Sequence, residues 1–210
     1  MSSWIDPAIL ALFIPTFFFV SVTPGMCMTL SMTLGMSLGV RRTLHMMWGE
    51  LIGVGLVSVL SVIGVAAIML NYPGIFAAFK YVGGAYLVWL GIQMWQAKGK
   101  MAIPADLSAG QQTSAMGLAL QGFVTAIANP KGWAFMISLL PPFISADKPM
   151  APQISALVAL ILVIEFSCLL LYASGGRTLR HFLAKSGNVT LMNRIAGTLM
   201  LGVGVWLALG

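Results

Sequence analysis

Apolar residues fall along this chain in blocks of roughly 20, the length a helix needs to cross a hydrocarbon core about 30 Å thick. The blocks predict six transmembrane helices, at about 7–34, 46–70, 74–96, 115–143, 153–175 and 190–209. The first and fourth are longer than a span requires, and each has a proline near its middle, Pro24 and Pro130. A proline ring removes a backbone donor and clashes with the preceding turn, so helices one and four are expected to be broken or kinked there.

The polar stretch from Lys98 to Ser114, with Pro104, Asp106 and Gly110, reads as a linker between residues 1–97 and 115–210. Three spans lie on each side of it. An odd number of spans makes a duplicated unit enter the membrane the opposite way the second time, which is the inverted-repeat plan. Thr23-Pro24 and Asn129-Pro130 stand at corresponding places, about half the chain apart. The expected fold is therefore an all-α membrane protein of six helices in two inverted three-helix repeats.

Composition agrees with that pattern. Of 210 residues, 59% are hydrophobic and 8% charged, with a mean hydropathy of +0.96, whereas soluble domains carry about 25% charged residues. No water-soluble surface can be built from such an inventory, so lipid is the solvent. The net charge of +6 comes from cations in short loops. Arg41, Arg42, Lys98, Lys100, Arg177, Arg180, Lys185 and Arg194 fall on one side and only Lys80 and Lys148 on the other. The positive-inside rule then places both termini outside, and it accounts for the basic balance without nucleic acid as a partner. Met1 to Asp6 contains no Lys or Arg, so the first apolar run is expected to remain a membrane helix rather than be cleaved. Cys27 and Cys168 both lie in apolar runs, which does not suggest a disulfide framework. No metal or other cofactor is expected.

Three ionisable residues fall at membrane depth: Glu50, Lys131 and Glu165. Each costs on the order of 2.5–3.5 kcal/mol at a helix centre, so each is a candidate for function. Lys131 follows Asn129-Pro130 and stands where the helix is interrupted, placed to meet an anion. A plainer role would be snorkelling to an interface or neutralising Glu50 or Glu165. Low dielectric disfavours a charged carboxyl, so Glu50 or Glu165 could exchange protons; alternatively Glu50 is interfacial and Glu165 a structural partner of Lys131. Thr23-Pro24-Gly25 puts a hydroxyl, a missing donor and a flexible residue in sequence, which suits an unwound segment lining a polar cavity. The pairs Gly35/Gly39, Gly49/Gly53 and Gly83/Gly84 read as helix-contact surfaces, and such faces make a homodimer plausible. These features together point to a carrier for a small amphiphilic solute. Two other classes compete: a thiol relay using Cys27 beside Pro24, and a scaffold whose buried charges are structural. The relay would want a second cysteine beside Pro130, where Lys131, Gly132 and Trp133 stand.

Thr23-Pro24-Gly25, Gly49-Glu50, the run Lys80-Tyr81-Val82-Gly83-Gly84-Ala85-Tyr86-Leu87-Val88-Trp89-Leu90-Gly91 and Asn129-Pro130-Lys131 occur in this order. In this the chain resembles lysine-exporter (LysE/RhtB) type amino-acid efflux permeases over nearly its whole length. The resemblance implies a bacterial inner-membrane protein that is not an enzyme and that exports amino acids or close derivatives. The family commonly continues its first motif as P-G-P and a polar residue, where this chain has Pro24-Gly25-Met26-Cys27. Its second span often has an acid after glycine, commonly Asp, and here Glu50 keeps the charge. Under this resemblance an amino acid would bind between the halves, its carboxylate near Lys131 and the broken-helix backbone. Its ammonium would lie near Glu165 or Glu50, and proton antiport with alternating access would drive export.

Overall fold

The computed structural model describes residues 7–71, 73–97, 113–140, 143–144 and 148–209. Among these the regular elements are eight α-helices, with no strand: α1 (Pro7–Val22), α2 (Met26–Leu38), α3 (Val40–Asn71), α4 (Pro73–Gln96), α5 (Ala115–Ile127), α6 (Pro130–Leu139), α7 (Met150–Ala184) and α8 (Ser186–Leu209). The linker expected at 98–114 lies outside the described residues except for Thr113 and Ser114, as do Lys98 and Lys100.

Two interruptions shape the molecule. Between α1 and α2 the axis turns by 57°. Pro24 has no amide to continue the ladder, Gly25 is extended (φ −147°, ψ −172°), and the Thr23 amide and hydroxyl both donate to the Phe19 carbonyl, at 3.2 and 2.6 Å. A proline alone does not end this helix, because α1 runs on through Pro15. The second interruption separates α5 from α6 at Ala128 and Asn129.

Helix ends depart from the hydrophobic pattern in one consistent way. α3 begins at Val40 and includes Arg41 and Arg42, where the pattern starts the span at 46; in α7 a kink at Gly176 is followed by a further helical stretch to Ala184. Backbone hydrogen bonding does not require apolar side chains, so a helix can extend beyond the hydrocarbon that its apolar block fills. In α7 the transition is marked by Gly176, whose φ of 44° is open to glycine and strained for other residues.

Among the described residues, Val40–Gly64, Met150–Gly176 and Gly187–Trp206 are each long and apolar enough to cross a membrane, and the bent α1–α2 pair meets the same test when its two pieces are taken together. Trp48, Ile52, Leu56, Leu60 and Ile63 form an exposed stripe along one face of α3. Such a contiguous apolar face is stable only against lipid or a partner.

The most extensive helix contacts, α4 with α8, α3 with α5 and α2 with α7, all join the first half of the chain to the second. Glycine makes these seams close. A Cβ on Gly91 would lie 2.8 Å from the Gly197 carbonyl oxygen, and one on Gly204 would lie 2.8 Å from that of Gly84. Gly49 similarly abuts Ala119, Gly122 abuts Met46, and Gly35 abuts Ala173. In membranes such small residues let helix backbones approach, and dispersion accumulates along the seam. Gly39, paired with Gly35 as a contact surface in the sequence, instead has open space around it. At φ 78° it closes α2, its amide donating to the Gly35 carbonyl at 3.1 Å.

Two buried apolar clusters fill the interior. One gathers Phe13, Phe17, Leu87, Phe135, Phe143 and Met200; the other gathers Met28, Met32, Met46, Met47, Leu169 and Tyr172. The helix interruptions lie between them.

Candidate functional site

A cavity of about 70 Å³ opens where the two interruptions face each other. At roughly 10–15 Å³ of such volume for each water, it has room for about five to seven waters or a small solute of similar size. Its wall is apolar on the side of Phe17, Val20, Val54, Val57 and Phe135, and polar where Ser21, Glu50, Asn129, Lys131 and Glu165 enter.

Each polar residue is held by a local reason. Asn129 sits one residue before α6 and caps it, its side-chain oxygen accepting from the Lys131 amide at 3.1 Å. The Gly132 and Trp133 amides bond to the Asn129 carbonyl, at 3.0 and 3.3 Å. The start of α6 is thus already satisfied from within. The other broken helix differs: Gly25 offers α2 no side-chain cap, and Gly25, Met26, Cys27 and Met28 all line the cavity. The first amides of a helix lack intrahelical partners and carry partial positive charge, so the start of α2 is the better seat for an anion.

Lys131 reaches back to α1. Its ammonium donates to the Val20 carbonyl at 3.1 Å, placing a cation at the carbonyl end of α1, where the helix dipole favours it. The same end is held by Tyr172 of α7, whose hydroxyl donates to the Val22 carbonyl at 2.7 Å. A Cβ on Gly25 would lie 4.0 Å from the Lys131 Nζ, so the cation and the start of α2 face the same space.

The carboxyls differ in their surroundings. Glu165 accepts a 2.6 Å hydrogen bond from the Ser21 hydroxyl. Glu50 is fully buried, and neither of its oxygens has a hydrogen-bond partner. Glu50 projects from α3 where Gly49, Gly53 and Gly122 press α3 and α5 together, so its backbone is fixed by the seam. Buried polar atoms are almost always paired, and an unpaired one points to a role that the resting protein does not complete.

Of the residues singled out in the sequence, Thr23, Gly25, Asn129, Lys131, Glu50 and Glu165 line this cavity. Pro24 is not among its lining residues and lies between two helices, and Pro130 begins α6. Glu50 is buried and lines the cavity. Thr23 spends its hydroxyl hydrogen on the Phe19 carbonyl, which leaves the oxygen able only to accept. Ser21 and Cys27 were not anticipated as lining residues. Ser21 carried a faint signal, a lone hydroxyl within Phe17-Phe18-Phe19-Val20-Ser21-Val22. Cys27 and Cys168 are both free and buried, and only Cys27 lines the cavity. Among the described residues no group of His, Cys, Asp and Glu could hold a metal ion.

The chain is similar to several curated bacterial membrane proteins. It is 29% identical over 189 residues to a homoserine/homoserine lactone efflux protein of Salmonella typhimurium, covering 90% of each chain. It is 27% identical over 194 residues to a leucine efflux protein of an Enterobacter species, covering 91% of this chain and 90% of that one. It is also 29% identical over 188 residues to a membrane protein of Vibrio cholerae named without a function, covering 90% of each. No solved structure matches it. The family model described as LysE type translocator matches residues 18–210, a stretch that contains all the polar residues of the cavity. The protein is therefore a member of the LysE type translocator family, a membrane transporter and not an enzyme.

Proposed function

We propose that this protein exports amino acids or close derivatives through the cavity between the two helix interruptions, in exchange for protons. The observation that carries the reading is the juxtaposition there of one ammonium, Lys131, with two carboxyls, Glu50 and Glu165, inside a membrane-embedded fold. A zwitterion loses most of its hydration on entering hydrocarbon, and complementary fixed charges offset part of that cost. The substrate carboxylate is assigned to Lys131 and the start of α2, close to Thr23, Pro24 and Gly25. Asn129 and Pro130 hold Lys131 in place. The cavity volume favours small solutes, in keeping with relatives named for homoserine and leucine efflux.

Six spans in two inverted repeats give the simplest topology, with α1–α2 and α5–α6 as the broken first helix of each unit. The contact pattern supports it: α3 pairs with α5 while α7 pairs with α2, and α4 pairs with α8. A twofold relation exchanging the halves maps α4·α8 onto itself and, span for span, carries α3 against α5–α6 onto α7 against α1–α2, although α3 lies mainly on the first piece of its broken partner and α7 on the second piece of its own. Positive loops place both termini outside the bacterial inner membrane. Two described contacts support a common cationic side, Arg42 donating to the Thr113 carbonyl at 2.8 Å and Arg194 lying 4.7 Å from the centre of the Trp95 ring. Because the glycine seams are occupied within one chain, a homodimer would use another face.

The test is transport by purified protein in liposomes against a panel including homoserine and leucine, with and without an imposed pH gradient. The expected result is uptake that the gradient accelerates, and its loss in Lys131→Met while the variant remains folded. Equal rates with and without the gradient would remove the proton; full transport by Lys131→Met would remove the binding assignment.

A further inference from the structure

We infer that Glu50, and not Glu165, is the carboxyl that receives the amino group of the solute, and that a proton competes with that amino group for it. This rests on the proposed export through the same cavity, and it goes further by dividing the roles of two acids.

The division follows from what each acid already has. Glu165 accepts a 2.6 Å hydrogen bond from Ser21 of α1, and it shares the cavity wall with Lys131. Lys131 in turn is anchored on the Val20 carbonyl. Glu165 and Lys131 are thus each tied to α1 by a hydrogen bond, one through Ser21 and the other through Val20. Glu50 has no such bond. Both its oxygens are buried without a donor. A carboxylate in that position is strongly unfavourable unless a cation or a proton joins it, and the cavity it lines is the space from which either can come.

Geometry supports an amine as that cation. In an α-amino acid the ammonium and the carboxylate hang from one carbon, so their seats must adjoin. Glu50 is a neighbour of Cys27 in the first turn of α2, and the start of α2 with Lys131 is the seat assigned to the carboxylate. The titratable groups facing Glu50 are Cys27 from α2, Lys131 from α6 and Glu165 from α7. α5 brings only Gly122 and Ala126 to this side, and α1 brings the hydroxyls of Ser21 and Thr23.

The exchange moves one proton for one solute. With solute bound, the Glu50 carboxylate meets the ammonium. When the solute departs, the carboxylate takes one proton from the side to which the cavity opens and becomes neutral. The proton replaces the ammonium at Glu50, and because the zwitterion carries its carboxylate away as well, the emptied cavity is one unit more positive, so each one-for-one exchange carries one net charge across the membrane.

The experiment measures binding of homoserine, leucine and their N-acetyl derivatives to the purified full-length protein across pH. For the wild type, affinity for the free amino acids should weaken on acidification, approaching tenfold per pH unit. The N-acetyl derivatives, which have no ammonium, should bind poorly at every pH. Glu50→Gln should bind weakly with no pH slope and little preference for the free amine. Glu50→Asp should recover the slope. Glu165→Gln should keep the slope whatever it does to affinity. The inference is overturned if Glu50→Gln retains the slope and the amine preference, or if Glu165→Gln alone abolishes both. A measurement on the unmodified protein guards against misfolded variants: dicyclohexylcarbodiimide, which modifies buried protonated carboxyls, should label Glu50 and be blocked by homoserine or leucine. Labelling of Glu165 alone, or labelling of Glu50 indifferent to bound amino acid, would also overturn it. A wild type that binds none of the probes defeats the export reading itself, and the inference falls with it; a wild type that binds them without a pH slope defeats only the inference.

Discussion

Replacing Gly122 by alanine tests whether the α3–α5 seam sets the position of Glu50. The added Cβ would meet the Met46 carbonyl oxygen well inside contact distance and the Glu50 amide nitrogen at 2.9 Å, where ordinary contact starts at 3.4 Å. Clearing the Glu50 amide alone requires the helices to part by about half an ångström, and the Met46 carbonyl requires more. Both obstacles are backbone, so no side chain can rotate out of the way. Overpacking of this kind costs about 1–3 kcal/mol. Alanine is intrinsically better than glycine in a helix by roughly 0.5–1 kcal/mol, which leaves a net loss of about 1–2 kcal/mol. For a chain of this size, that lowers the melting temperature by roughly 2–8 °C. The control is Gly64→Ala in α3, where nothing lies within 4 Å of the added carbon; there the intrinsic preference acts alone and the melting temperature should hold or rise. Both can be read from tryptophan fluorescence on heating in detergent. In liposomes, Gly122→Ala should also transport more slowly than its lost stability explains, because separating α3 from α5 moves Glu50 relative to the cavity. Equal melting temperatures and equal transport for the two variants would refute the close seam and the positioning argument built on it.

Two more outcomes follow from single hydrogen bonds. Asn129→Ala removes the side-chain cap of α6 and should cost about 0.5–2 kcal/mol in thermal unfolding, with a larger loss of transport because Lys131 is the residue the cap secures; Asn129→Asp, which can still accept from the Lys131 amide, should restore stability. Tyr172→Phe deletes the 2.7 Å bond to the Val22 carbonyl and leaves that buried oxygen unpaired at the end of α1, a penalty of roughly 1–3 kcal/mol visible as a lower melting temperature.

How much was legible in advance differs from residue to residue. Glu50, Lys131 and Glu165 could be picked out because a charge inside an apolar block is costly wherever the block packs. Their different tasks could not, since these depend on Ser21, 144 positions from Glu165 along the chain, and on Val20, 111 from Lys131. Ser21 and Tyr172 in particular look like ordinary members of membrane helices until α1 and α7 meet. The same holds for glycine. Gly35 and Gly39 are indistinguishable by spacing, yet one is pressed against Ala173 and the other ends a helix in open space.

Sequence by itself determined that the chain is helical and belongs in a bilayer, because length and apolarity of each block are local properties that water and lipid judge without reference to other blocks. It also determined which polar groups would need a reason to be there. Tertiary structure alone decided who meets whom: that the closest seams run between the two halves rather than within them, that α6 is capped while α2 is left open, and that one acid is provided for and the other is not. Those are outcomes of packing between segments far apart in the chain, and side-chain periodicity records which face of a helix is buried but not the partner that buries it.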